Sequence, residues 1–171
     1  MRTFIASPIP IYGGIKDLLK QVSTLPSLRV PNTVDLHLTY LFLGDVEKEE
    51  VENIAKSIVK PVIRKVESGF SAITAFPDIS RPRVLVLLLD NPEIIEIYRS
   101  ISGILPGFSS GSTKFVPHLT IGRFGKNKVM PDIKKLKIPA GKVLIDRVCL
   151  YKSTLTPSGP VYEDLACNQL M

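Results

Sequence analysis

The chain has 171 residues, 44% of them hydrophobic and 22% charged, a balance ordinary for a soluble globular protein and suited to one domain or two fused lobes. Its net charge of +6 favours an anionic partner, with nucleic acid the usual candidate. Two cysteines, Cys149 and Cys167, exclude a disulfide-dense scaffold, and no apolar run approaches the length of a membrane span. The N-terminal residues lack the pattern of a signal peptide, so the expected location is the cytoplasm, with no membrane partner. Five asparagines and two glutamines against 14 prolines fit a protein from a hot environment.

Residues 2–7 read as a strand, which Pro8, Pro10 and Gly13-Gly14 break. Ile15, Leu18 and Leu19 have the spacing of one helical face, predicting a helix over 15–22. Pro26 and Pro31 mark a loop. Residues 36–43 are apolar on both faces, which predicts a central, buried strand. Asp45 is the expected cap of a second helix with Glu47, Glu49 and Glu50 in its first turns, where the helix dipole favours acids. Val51, Ile54, Ala55 and Ile58 form its inner stripe, and Pro61 stops it.

Residues 62–66 and 71–75 read as strand, interrupted near Gly69, and Phe76-Pro77-Asp78 as a turn before a strand over 83–89. Asn91-Pro92-Glu93 is a helix start, followed by a stripe of Ile94, Ile97, Ile101 and Ile104. A polar loop over 107–113 leads into a strand over 115–124, then a mixed segment over 126–136 with a short helix. The chain closes with strands over 143–153 and 161–169, joined by the turn Thr156-Pro157-Ser158-Gly159. A turn centred between Pro157 and Ser158 makes opposite residues sum to about 315, assuming no bulge. Cys149 and Cys167 then face each other across the ladder: reduced thiols in a mesophile's cytoplasm, a plausible disulfide in a hyperthermophile.

The chain has only two histidines, and each opens the same tripeptide: His37-Leu38-Thr39 and His118-Leu119-Thr120, 81 positions apart. Each sits in an apolar run that meets a glycine, Gly44 or Gly122. On a strand, residues two apart share a face, so each histidine points with its threonine. Two converging imidazoles can supply one proton donor and one acceptor near neutral pH. Two hydroxyls can hold phosphate oxygens without adding negative charge. A single histidine in an apolar strand is more often a packed core residue; two identical units that use the whole histidine content argue for acid–base chemistry on a phosphate. Arg123 follows five positions after His118. Strict alternation turns it away from Thr120, unless a bulge at Gly122 re-aims it as a cation for the phosphate.

With these motifs, the chain resembles the 2H phosphoesterases, and in particular the RNA 2′,3′-cyclic phosphodiesterases also described as 2′-5′ RNA ligases. The resemblance runs through Arg2-Thr3-Phe4-Ile5-Ala6, the two His-x-Thr runs, Arg81-Pro82-Arg83-Val84-Leu85 and the stretch from Leu150 to Tyr162. It implies an α+β fold of two pseudo-symmetric lobes, each an antiparallel sheet with flanking helices, around a V-shaped cleft. One domain would span 1–171, with one motif from each half. It also implies hydrolysis of a 2′,3′-cyclic phosphate to a 2′-phosphate on an RNA or oligonucleotide end, by a monomer without metal or organic cofactor. His37 would be the proton donor and His118 the acceptor; Thr39, Thr120 and Arg123 would bind phosphate. The chain departs from the family in having Val86 where an aromatic residue is usual, which implies either weaker base stacking or stacking supplied elsewhere, by Tyr12 or Phe76. Other readings stay open from sequence: a ligase forming a 2′-5′ bond from the same ends, a basic RNA-binding module without turnover, and a phosphodiesterase for a small nucleotide.

Overall fold

A computed structural model of the chain describes residues 1–31, 36–108 and 114–171. From residue 109 on, the expected polar loop lies outside the described residues. Among them, ten strands and three α-helices form. In chain order these are β1 (Arg2–Pro8), α1 (Gly13–Ser23), β2 (Leu28–Arg29), β3 (His37–Asp45), α2 (Lys48–Ile58), β4 (Val66–Ser68) and β5 (Phe70–Phe76). Then follow β6 (Val84–Leu89), α3 (Ile94–Ile104), β7 (His118–Phe124), β8 (Val143–Ile145), β9 (Arg147–Thr156) and β10 (Gly159–Gln169). No helix among the described residues is long and apolar enough to cross a membrane.

The helices form where apolar residues recur on one face. Ile15, Leu18, Leu19 and Val22 of α1 are all buried, as are Val51, Ile54 and Ile58 of α2 and Ile94, Ile97 and Ile101 of α3. Each such aliphatic side chain contributes roughly 1.5–3 kcal/mol when fully buried. Ile104, the last residue of the expected α3 stripe, remains 36% exposed because the helix ends there.

Two local expectations are corrected. Asp45 does not cap α2; it is the last residue of β3, paired with Arg2, while the Val46 N–H donates to the Met1 carbonyl at 2.9 Å. Glu47 occupies the cap position, and Glu49 and Glu50 do lie in the first turn. Residues 62–65 are not strand: Ile63 and Lys65 exchange backbone hydrogen bonds with Met171, and β4 begins at Val66 to pair with β8.

The fold is α+β, with every strand pairing antiparallel. The main sheet runs β10-β9-β1-β3-β7-β6-β5, and β2 pairs with β7 off this path. It consists of two groups of strands. In one, β1 lies between β3 and the C-terminal hairpin of β9 and β10; α2 packs against that hairpin. In the other, β7 pairs with β6 and β2, with α1 against β7 and β2. The two groups are interleaved along the chain, and one residue pair, Leu38↔Leu119, joins them.

The C-terminal hairpin follows the expected register up to one defect. Pairs from Gly159↔Thr156 through Asp164↔Tyr151 sum to 315; a bulge at Leu165 then shifts the sum to 316 at Cys167↔Cys149. That shift seats the two cysteines directly opposite each other, 4.1 Å apart at Cα and joined as a disulfide. The bridge closes a stretch with a sequence separation of 18, for which chain entropy predicts a stabilisation on the order of 3 kcal/mol. Thermal unfolding with and without a strong reductant measures this. The midpoint should fall by several degrees once the thiols are free, and an unchanged midpoint with titrated free thiols would contradict a stabilising bridge.

Candidate active site

Both motif strands begin at their histidine, β3 at His37 and β7 at His118. Leu38 and Leu119 are directly opposite one another and fully buried. Alternation therefore turns His37, Thr39, His118 and Thr120 to the other face, where all four are half-buried. Continuing the antiparallel register one residue either way sets His37 across from Thr120 and Thr39 across from His118. The two units are thus crossed in register: each histidine position lies across from the threonine position of the other unit.

Arg123 lies on this same face. On β6, Leu88 opposes His118, Val86 opposes Thr120 and Val84 opposes Arg123. The step from Leu85↔Gly122 to Val86↔Thr120 skips Ile121, so a bulge there resets the alternation. Gly122 then faces the interior, where an added Cβ would come within 3.1 Å of Leu28 Cδ2 and 3.2 Å of Val22 Cγ1. Glycine is required there to let α1 and β2 approach β7, and Arg123, one position on, is turned out. The other motif glycine, Gly44, has φ +74°, a left-handed conformation that favours glycine.

The two imidazoles stand in different surroundings. His118 Nδ1 lies 2.7 Å from the Val116 carbonyl oxygen. A carbonyl only accepts, so Nδ1 carries the hydrogen, and in the neutral ring Nε2 holds the lone pair. Burial pushes the His118 pKa below its ordinary value, with the Val116 hydrogen bond opposing more weakly. The ring of Phe76 stands edge-on to it, 4.9 Å away. His37 packs among aromatic rings: Phe4 at 5.1 Å and Tyr162 edge-on at 5.2 Å, while Phe4 stacks on Tyr151.

Around His37 these rings line a pocket of about 250 Å³, together with Arg147 and Asp164. Burial, then the charge of Asp164, raise the Tyr151 pKa, with Arg147 acting the other way, so the phenol stays a hydrogen-bond donor at neutral pH. Sequence reading did not single out these residues. Their signal was their place on β1, β9 and β10, whose order beside β3 is not visible locally. Cross-strand register also sets the disulfide on this face: Thr39, Ala6, Cys149 and Cys167 form one row across β3, β1, β9 and β10.

Of the two rings expected to stack a base, Phe76 reaches the site. Tyr12 is engaged elsewhere, donating its hydroxyl to the Ala140 carbonyl at 2.5 Å. Val86 is fully buried opposite Thr120. Among the described residues, no three His, Cys, Asp or Glu side chains come together as a metal-binding group.

Comparison with known proteins shows the family and the fold. Residues 22–156 match the 2′-5′ RNA ligase superfamily. An RNA 2′,3′-cyclic phosphodiesterase of Methanocaldococcus jannaschii is 32% identical over 95% of this chain and 97% of its own. One from Thermotoga maritima is 36% identical over 77% of this chain and 73% of its own. TT0787 of Thermus thermophilus shares the fold, with a TM-score of 0.83 and 20% identity over 99% of this chain and 98% of that one. The chain belongs to the 2′-5′ RNA ligase superfamily, the 2H phosphoesterases.

The packing around Gly122 makes a direct prediction. Gly122→Val drives a branched side chain against Leu28 and Val22 and should cost about 1–3 kcal/mol of stability. Denaturant unfolding measures it, and a neutral substitution would show that Gly122 does not face the α1 interior.

Proposed function

We propose that the chain hydrolyses RNA 2′,3′-cyclic phosphate ends to 2′-phosphates by two-histidine acid–base catalysis without a metal. One observation carries this reading: the crossing of two His-x-Thr units on one face, with the proton-accepting Nε2 left on His118. The names of the relatives supply the substrate class. In the proposed step, His118 Nε2 takes a proton from water as the water oxygen bonds to phosphorus. The P–O3′ bond breaks, and His37 gives its proton to the departing 3′ oxygen. Thr39 and Thr120 donate hydrogen bonds to the non-bridging oxygens, and Arg123 adds positive charge from the Thr120 side.

Assignment of the base to His118 is supported by its environment. A base must be neutral before the reaction, and burial favours the neutral imidazole there. Tautomer and pKa direction thus agree with the role. Both histidines come from one chain, which suits a monomer and one domain over 1–171. An RNA substrate is in line with a cytoplasmic location. A disulfide in that compartment is the pattern of hyperthermophile proteins, in line with the amide-poor, proline-rich composition.

Turnover of a 2′,3′-cyclic nucleotide tests the reading. His37→Ala and His118→Ala should each cost roughly 10²–10⁴-fold in kcat while the protein stays folded; near wild-type turnover in either would end the acid–base assignment. The rate should follow a bell-shaped pH profile. His118 must be unprotonated and its pKa is lowered, so activity should fall on the acid side with a midpoint below about 6.5. An acid limb well above that value would contradict burial of the base. EDTA should leave the rate intact, and loss restored by a divalent ion would refute a metal-free site.

A further inference from the structure

A second group of cations lies on the active face, away from the histidines. Arg29 of β2 is directly opposite Arg123 of β7. Directly opposite side chains have Cβ atoms about 4.5–5.5 Å apart and share a face, and like charges so placed destabilise a ladder. Both arginines are exposed, and among the described residues neither forms an ion pair. Their neighbours on the other face, Leu28 and Phe124, hold the short pairing through the core. Beside Arg29 lies a pocket of about 370 Å³ that also includes Ser27, Lys126 and Asn127. The arrangement is costly when empty and complementary to an anion.

Its position says which anion. β6 occupies one edge of β7; on the other edge β3 pairs at Leu119 and β2 at Arg123 and Phe124. β2 therefore fills the edge that β3 leaves, where the two groups of strands part. At about 3.3 Å per residue, the five positions from His118 to Arg123 span roughly 15 Å. With Arg123 assigned to the phosphate between the histidines, Arg29, directly opposite it at this end of the face, is left for a second anion. An RNA strand ending in the cyclic phosphate has further phosphates only on its 5′ side.

We propose that Arg29, with Lys126, binds a backbone phosphate of the RNA strand upstream of the cyclic end, so that the β2–β7 edge carries the strand out of the active site. The inference rests on the reaction proposed above and adds a length-dependent substrate site to it. Arg123 stands between the two anions and serves as the link.

The test compares three substrates with the same terminal nucleoside: a 2′,3′-cyclic mononucleotide, its 5′-phosphorylated form, and a tetranucleotide ending in the cyclic phosphate. Arg29→Gln should lower kcat/KM for the tetranucleotide roughly tenfold and change either mononucleotide less than twofold, about the effect of one phosphate contact. Lys126→Gln, in a loop, should act in the same direction and covers the case in which the β2 variant misfolds. Equal loss on all three substrates, or no loss on the tetranucleotide, would overturn the proposal. Loss already present with the 5′-phosphorylated mononucleotide would place the contact at the first phosphate upstream of the cyclic end and overturn the dependence on strand length.

Binding of an unreactive tetranucleotide with a 2′-phosphate end, followed by fluorescence anisotropy, separates this inference from the reaction itself. Arg29→Gln should weaken binding and flatten the slope of log K against log salt by about 0.7. Wild-type protein that binds the tetranucleotide in this way but turns over no cyclic phosphate would overturn the reaction and leave the strand site standing. Unchanged affinity and slope in the variant would remove the strand site.

Discussion

The pairing of β3 with β7 through Leu38 and Leu119 sets the geometry of the site. Both leucines are fully buried, so neither strand can slip by one residue without sending a histidine and a threonine into the core and a leucine to the surface. Hydrophobic burial on one face thereby fixes the chemistry of the other. The strands pair at this single position, and the four half-buried polar side chains flank it on the other face. Ser7 braces the first of these strands: its hydroxyl donates to the Arg147 carbonyl at 2.6 Å and accepts from the buried Tyr40 hydroxyl at 2.8 Å, tying β1, β3 and β9 together.

Bulges then correct the aim that simple alternation would give. At Tyr40 the register between β1 and β3 shifts, so that Tyr40 reaches Ser7 while Phe4 stays on the face of His37. At Ile121 the shift turns Arg123 outward. At Leu165 it brings Cys167 opposite Cys149. Each inserted residue trades one ladder position for a side chain placed where function or stability needs it. The third adds a covalent tie within the strands that wall the His37 pocket, since Tyr151, Tyr162 and Asp164 belong to the same hairpin.

Much of this was legible in the sequence because it is written in periodicity and repetition. The stripes of α1 and α3, the central place of β3 and the C-terminal turn follow from spacing alone, although β3 buries one face only and leaves Phe42 76% exposed, and two copies of His-Leu-Thr point to a shared site before any fold is known. Gly122 also signalled a bulge, and the bulge falls on its neighbour. The partner strands of the site were not legible. β2 is two residues long between Pro26 and Pro31, too short for any period, so that stretch read only as a loop. The pocket around His37 draws on β1, β3, β9 and β10, and only long-range pairing brings Arg147 and Asp164 to a histidine more than 100 positions away. Asp45 misled because cap chemistry and strand ends use the same residue types, and the N-terminal strand captured it first.

The central claim is that the two crossed units act on one phosphorus, with the proton of one imidazole delivered to a single ribose oxygen. Hydrolysis of a 2′,3′-cyclic nucleotide in ¹⁸O-labelled water, in the presence of chelator and followed by ³¹P NMR, reads this directly. The account predicts a 2′-phosphate as the only product, carrying one ¹⁸O at phosphorus. A 3′-phosphate, a mixture of the two isomers, or no turnover would contradict it.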